Sequence, residues 1–170
     1  TGSRFDNATT VTFSTDPLTV TLTNSGPGAS WANAATQVEV SCTVGGSPLP
    51  TVVLDFPPEG GTQSITADDG ATCEVSSVSA AGQLSTQFAS TSDPAWSGTP
   101  VSVTVAAGAG LRVDNVFGVA PIEVTSVNSG AGADFANAPT AATVTCTFNG
   151  LSAGPDAVLP TIGSKELVAW

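Results

Sequence analysis

The sequence predicts an all-β fold, a β-sandwich, on the evidence of its composition, of two-residue alternation and of an internal repeat. Of its 170 residues, 41% are hydrophobic, which is enough to fill a core. Val, Ala, Leu and Ile dominate, with many Thr and Ser and a single Lys, and this mixture favours strands over helices. The repeat, with an offset of 104 residues, predicts one complete and one incomplete sandwich.

Short strands are indicated by apolar residues at every second position, which turn toward one face of a sheet. The expected inward-facing sets are Leu18, Val20 and Leu22; Val38, Val40, Cys42 and Val44; Val52, Leu54 and Phe56; Cys73 and Val75; Val101, Val103 and Val105; and Leu111 and Val113. Turn-forming Gly, Pro, Asn and Asp separate them, and six or seven such strands per ~100 residues describe a β-sandwich. No longer segment has helical periodicity, so we expect at most a short helical turn in residues 29–35.

The internal repeat aligns residues 16–43 with residues 120–147 without a gap. The matched positions include Asn24-Ser25-Gly26 with Asn128-Ser129-Gly130, Trp31 with Phe135, and Cys42 with Cys146. Bulky, turn-forming and sulfur-containing positions therefore recur in one register, which chance does not explain.

A weaker match links the N-terminus to the end of the first repeat. Arg4-Phe5-Asp6-Asn7 resembles Arg112-Val113-Asp114-Asn115, and Phe13 lies 104 residues before Phe117. We therefore expect residues 1–13 to form a closing strand, residues 14–117 a complete repeat, and residues 118–170 the first half of another. The closing strand would contain Arg4, Phe5, Val11 and Phe13.

Composition excludes several classes of function. The chain has no His, so it cannot provide a Ser-His or Cys-His nucleophilic pair, and we expect no enzyme activity, cofactor or metal. Its net charge is −11, with Arg4, Arg112 and Lys165 as its cations, so nucleic acid and anionic membranes are not expected partners. No apolar run approaches the ~20 residues of a membrane span.

The three cysteines are not spaced as a metal or redox motif. Cys42 and Cys73 lie 31 residues apart on inward faces of predicted strands, which suits a disulfide bond between two sheets. Cys146 takes the position of Cys42 in the second repeat, where its partner would fall near residue 177, so we expect it to be unpaired. The chain starts without a signal peptide, so a secreted protein would already have lost it.

Three further features are candidates for ligand binding or modification. The turn Asp68-Asp69-Gly70 offers oxygen ligands to calcium, but no regularly spaced third or fourth acid follows, so a metal-free turn is favoured. Asn7 lies in the only N-glycosylation sequon. The aromatic residues Trp31, Phe135, Trp96 and Trp170 are candidates for a carbohydrate platform. The alignment of Trp31 with Phe135 instead favours a role in the core.

These patterns together resemble the immunoglobulin-like repeats found in tandem in actinobacterial cell-surface proteins of the adhesin or pilin-stalk type. The matching segments are Leu18–Thr21, Val38–Cys42, Asp69–Cys73 and Val113–Phe117. The resemblance implies immunoglobulin-like β-sandwich repeats, one complete and one incomplete, in an extracellular protein at the cell surface.

The first functional hypothesis is a structural subunit of a surface filament, pilus or stalk. A half-repeat leaves unpaired strand edges, and the segment from Arg4 to Phe13 resembles the strand that would close it. Donation of this strand to a neighbouring copy would be a heterologous contact, so a head-to-tail homopolymer would grow. Alternatively, the chain is an excised piece of a longer array.

The second hypothesis, from a different class, is an adhesin-type binding module. It would recognise host glycan or protein through the Gly-rich loops at residues 23–35 and 127–139. The sequence of these loops does not indicate which ligand they would bind. Size in solution separates the two hypotheses, because a filament subunit assembles and a monovalent module stays monomeric.

Overall fold

The computed structural model describes residues 14–133, 140–148, 150–153, 156–159 and 163–169, and these are almost all in strands and turns. The strands are β1 (Thr15–Ser25), β2 (Thr36–Val44), β3 (Ser47–Pro48), β4 (Val52–Phe56), β5 (Gly61–Asp68), β6 (Thr72–Ser79), β7 (Ser85–Ser90), β8 (Ser102–Thr104), β9 (Gly110–Val116), β10 (Ala120–Ser126), β11 (Thr140–Thr143), β12 (Cys146–Phe148), β13 (Leu151–Ala153), β14 (Asp156–Leu159) and β15 (Gly163–Ala169). One 3-10 turn, Ala29–Trp31, lies within the predicted helical stretch. The all-β prediction is confirmed. Within these ranges no helix is long and apolar enough to cross a membrane.

The first sheet has four strands in the order β5-β1-β9-β7. β1 pairs antiparallel with β5 and parallel with β9, and β9 pairs antiparallel with β7. In the parallel pair, Thr23 lies opposite Asp114 and Ser25 lies opposite Val116. The strands that begin and end the first repeat are therefore neighbours in the middle of this sheet.

The second sheet has the order β3-β2-β6-β8, and β4 also pairs with β2. All of its pairs are antiparallel. The register of β2 against β6 shifts between Glu39 and Val40, as at a β-bulge. The two sheets together form the β-sandwich that the strand pattern predicts.

The hydrophobic core contains side chains from both sheets. Leu18, Val20 and Leu22 of β1 are buried, as are Val38 and Val40 of β2, so alternation correctly predicts their direction. Each such aliphatic side chain contributes roughly 1.5 to 3 kcal/mol when fully buried.

The prediction for Val44 is wrong, because its side chain is 37% exposed. Val44 is the last residue of β2, and Gly45 and Gly46 follow it with φ of 55° and 83°. The chain thus turns away from the core at the point where the alternation would still direct Val44 inward.

Residues 118–170 repeat the strand order of β1 to β5. β10 pairs with β15 as β1 pairs with β5, β11 pairs with β14 as β2 pairs with β4, and β12 pairs with β13 as β2 pairs with β3. The pair β12–β13 also has the same register as the pair β2–β3, because Phe148 opposite Leu151 corresponds to Val44 opposite Ser47 at the repeat offset. The boundaries 1–13, 14–117 and 118–170 themselves stay predictions, and the first of these segments lies outside the described residues.

Candidate functional site

The turn that follows β1, residues 25–29, packs against the end of the first repeat, and we call it the first end turn. Gly28 N donates a hydrogen bond to Phe117 O at 3.1 Å, and Phe117 N donates to Ser25 O at 2.9 Å. Gly26 has a φ of 86°, in the left-handed region that favours glycine. A Cβ on Gly28 would lie 2.2 Å from the carbonyl oxygen of Gly118, so only glycine allows the two backbones to approach this closely.

Hydroxyl groups of β1 bind the last strand at the same place. Thr23 Oγ1 donates to Oδ1 of Asp114 at 2.9 Å, and Ser25 Oγ donates to Oδ2 at 2.5 Å. Asp114 is only 6% exposed, so these hydroxyls replace the water that would otherwise solvate its carboxylate. Hydrogen bonds to an ionised acceptor are among the stronger ones in proteins, and they hold β9 in register with β1.

The neighbouring residue Asn115 joins the two sheets and is fully buried, with 0% exposure. Its Nδ2 donates to Thr36 Oγ1 of β2 at 3.4 Å, and its Oδ1 accepts from Thr86 Oγ1 of β7 at 3.1 Å. The Asp-Asn pair in β9 is therefore bound by hydroxyls from three different strands.

The same turn forms again in the second repeat at residues 129–133, which we call the second end turn. Ala133 N donates to Gly130 O at 3.1 Å, as Ala29 N donates to Gly26 O at 3.1 Å. Gly130 has a φ of 95°. Among the described residues, however, no atom lies within 4 Å of a Cβ built on Gly130 or Gly132. The second end turn thus repeats the conformation of the first without a described segment packed against its glycines.

The structure contains a disulfide bond between Cys42 and Cys73. Its expected position between two sheets is wrong, because β2 and β6 are neighbours in one sheet and the two cysteines lie directly opposite each other. Alternation shows that both side chains face the core, but it does not show which sheet contains each strand. Cys146 of β12, predicted to be unpaired, is a free cysteine.

The expected core role of Trp31 is wrong, because its side chain is 36% exposed in the 3-10 turn. The end turn contacts its partner segment through glycine backbone, so no aromatic plug is needed there. Trp96 is 41% exposed, and the guanidinium of Arg112 lies 4.6 Å from the centroid of its ring, as in a cation–π contact. Phe135 and Trp170 lie outside the described residues.

The turn at Asp68-Asp69-Gly70 is held by protein groups. Ser14 Oγ donates to Oδ2 of Asp69 at 3.2 Å, and Gly70 N donates to Val105 O at 2.9 Å. Over the part of the chain that the structure describes, no three His, Cys, Asp or Glu side chains are grouped so that they could hold a metal ion.

Two surface clefts in the first repeat are lined by few groups that could bind a ligand. One, of about 370 Å³, is lined by Thr91, Ser92, Val103, Thr104 and residues 106–109, with no ionisable side chain. The other, of about 260 Å³, lies beside Cys42 and Ile65. Small-molecule sites usually combine an enclosed apolar pocket with converging polar groups, and neither cleft has that combination.

The sequence interpretation missed the partners of the Asp114–Asn115 pair, although a signal for them exists. The Asp-Asn pair recurs at residues 6–7, and Thr36 and Gly28 recur as Thr140 and Gly132 in the repeat. The predicted donor residues Arg4, Phe5, Val11 and Phe13, and the sequon residue Asn7, lie outside the described residues, so their roles stay predictions.

Comparison with known proteins identifies no family for this chain. No family model and no curated protein matches it. Among solved structures, it is similar to a cysteine-to-alanine mutant of the pilus-presented adhesin Spy0125 (Cpa), with 15% sequence identity and a TM-score of 0.37. The similarity covers 62% of this chain and 28% of that one, so this chain spans less than a third of that protein. At this TM-score the likeness supports no functional conclusion.

Proposed function

We propose that this protein is an extracellular structural subunit of a surface filament, pilus or stalk, whose copies join head to tail by β-strand donation. The observation that carries the proposal is the recurrence of the end turn. Its glycines are covered by Phe117 and Gly118 in the first repeat, and no described atom covers them in the second. A strand donated from one copy to the same place in the next copy is a heterologous contact, and such contacts extend into a filament.

The construction of the first repeat is consistent with a structural role outside the cell. The Cys42–Cys73 bond closes a loop of 31 residues, and such a loop contributes about 3 to 4 kcal/mol in the chain-entropy model. Structural disulfides persist in oxidising environments such as the cell surface. The net charge of −11 supports solubility at such a surface and gives no attraction to nucleic acid. The proposal assigns no enzymatic activity to the chain.

An adhesin-type binding module is the second candidate function, and the exposed Trp96 favours it. Its ring is 41% exposed and is held by Arg112, so it offers a fixed aromatic surface to a sugar ring or to a protein side chain. Binding of an oligosaccharide library to the wild type that is lost in Trp96→Ala would favour this function.

Negative-stain electron microscopy of the purified 170-residue chain tests the structural proposal. We expect filaments with a regular axial repeat, and sedimentation velocity should show a size distribution that shifts upward with protein concentration. Particles that stay monomeric over the whole concentration range would contradict the proposal and favour the binding module.

A further inference from the structure

We propose that the first repeat resists tension along the chain, and that the parallel pair β1–β9 is the element that bears this tension. The use of this property rests on the proposed structural role, because a filament or stalk transmits tension through each of its subunits. β1 begins at Thr15, and β9 ends at Val116. A pull on the chain from both sides of residues 15–116 therefore reaches the first residue of β1 and the last residue of β9.

The two strands are arranged so that such a pull slides one strand along the other. β1 and β9 are parallel, with Thr19 opposite Gly110 and Ser25 opposite Val116. Tension draws β1 backward from its first residue and β9 forward from its last residue, in opposite directions along a common axis. The backbone bonds of a parallel pair are evenly spaced, so they share the load and must break together.

The backbone ladder between β1 and β9 is closed at both ends. Thr19 N donates to Ala109 O at 3.1 Å beside the first aligned residue pair. Phe117 N donates to Ser25 O at 2.9 Å beside the last pair, and Gly28 N donates to Phe117 O at 3.1 Å. The first end turn thus fastens β9 to β1 at the point where the chain leaves β9.

Side chains of β1 add hydrogen bonds across the same pair. Thr19 Oγ1 donates to Ala109 O at 3.2 Å. Thr23 Oγ1 and Ser25 Oγ donate to the two carboxylate oxygens of Asp114 at 2.9 Å and 2.5 Å. Hydrogen bonds to a carboxylate are among the stronger ones in proteins. Sliding of β1 along β9 would break these bonds together with the backbone ladder.

Both strands are also held by the core. Val20 and Leu22 of β1, and Leu111 and Val113 of β9, are at most 1% exposed. Separation of the strands would bring this apolar surface into water, at a cost that grows with the exposed area. The barrier to unfolding under tension therefore contains a core contribution as well as the hydrogen bonds.

The antiparallel pair β7–β9 provides a direction of pulling in which the same repeat should yield easily. Ser85 lies opposite Val116, and Leu84 N donates to Val116 O at 2.8 Å. A pull between Leu84 and the C-terminus acts on adjacent ends of two antiparallel strands, so their bonds would break one at a time. The Leu84 side chain is 75% exposed, so Leu84→Cys supplies an attachment point without disturbing the core.

Single-molecule force spectroscopy on the 170-residue chain with Leu84→Cys and Cys146→Ala tests the proposal. Cys146→Ala removes the free cysteine of β12, so that only the introduced thiol reacts with a handle. One handle is fixed at the C-terminus, and the other is fixed either at the N-terminus or, through a thioether, at position 84. The same protein is thus pulled in both directions.

The disulfide identifies the unfolding event of the first repeat in the pull from the N-terminus. The Cys42–Cys73 bond closes a loop of 31 residues, which the oxidised chain withholds from the extension. A reducing agent should therefore lengthen this event by about 105 Å.

Thr23→Val and Thr86→Val are matched substitutions, because each removes one hydroxyl that donates to a side chain of β9. Thr23 joins β1 to Asp114 at 2.9 Å, and Thr86 joins β7 to Asn115 at 3.1 Å. In the pull from the N-terminus, we expect Thr23→Val to accelerate unfolding at constant force about tenfold, and Thr86→Val at most about threefold. In the pull from position 84 the order should reverse, because Thr86 lies where β7 is peeled from β9.

The parent chain should need at least about twice the force in the pull from the N-terminus as in the pull from position 84, because forced unfolding depends on the barrier along the direction of pulling. Equal forces in the two directions, or equal effects of the two substitutions, would overturn the assignment of tension to β1–β9 and leave the filament proposal intact. A strong dependence on direction in a chain that forms no filaments in electron microscopy would confirm the force-bearing pair and contradict the structural subunit.

Discussion

The substitution Asn115→Ala tests whether the buried Asp-Asn pair holds the two sheets together. Asn115 is fully buried, and its amide contacts Thr86 Oγ1 at 3.1 Å and Thr36 Oγ1 at 3.4 Å. A typical buried hydrogen bond contributes about 1 kcal/mol, and the second contact is long enough to contribute less. Removal of the amide also leaves a cavity and two hydroxyls without this partner. We expect a loss of about 2 to 4 kcal/mol in the free energy of unfolding.

Urea unfolding followed by circular dichroism measures this loss. A double-mutant cycle with Thr86→Val isolates the contribution of the shorter bond, for which we expect a coupling energy of about 0.5 to 1.5 kcal/mol. Thr62→Val is a suitable control, because the Thr62 hydroxyl bonds to Thr21 on the exposed surface and not to Asn115. A loss below about 1 kcal/mol for Asn115→Ala would refute the reasoning, since it would be smaller than the contribution of one typical buried hydrogen bond.

Three further substitutions test other contacts of the first repeat. Gly28→Ala should destabilise the first repeat by about 1 to 3 kcal/mol in urea unfolding, because its Cβ must displace the backbone of Gly118, whereas Gly98→Ala should change stability by less than about 0.5 kcal/mol. The double substitution Cys42→Ala with Cys73→Ala should lower the unfolding free energy by roughly 2 to 5 kcal/mol, and a reducing agent should lower that of the wild type but not of the variant. Arg112→Met should change the fluorescence of Trp96 and cost about 0.5 to 1 kcal/mol; an unchanged spectrum would contradict a cation–π contact in solution.

The core was predictable from the sequence because burial in a strand depends on local alternation. Leu18, Val20 and Leu22 are buried for the simple reason that a strand directs every second side chain to one face. The direction of each side chain is a property of its own strand, so it needs no knowledge of the neighbours. Alternation stops being informative where a strand ends, as at Val44.

The partners of each strand were not predictable in the same way, because pairing is non-local. The disulfide shows the difference, since Cys42 and Cys73 both face the core but lie on neighbouring strands of one sheet. The parallel pairing of β1 with β9 joins residues about 90 positions apart, such as Thr23 and Asp114. No local pattern in either strand encodes that choice.

Comparison of the two repeats supplies part of the information about strand partners, because it shows which residues recur together. The turn glycines recur at an offset of 104, and the structure contains the same backbone turn at both places. Trp31 and Phe135 recur as well, yet Trp31 is half-exposed, so recurrence alone does not distinguish a core position from a surface position.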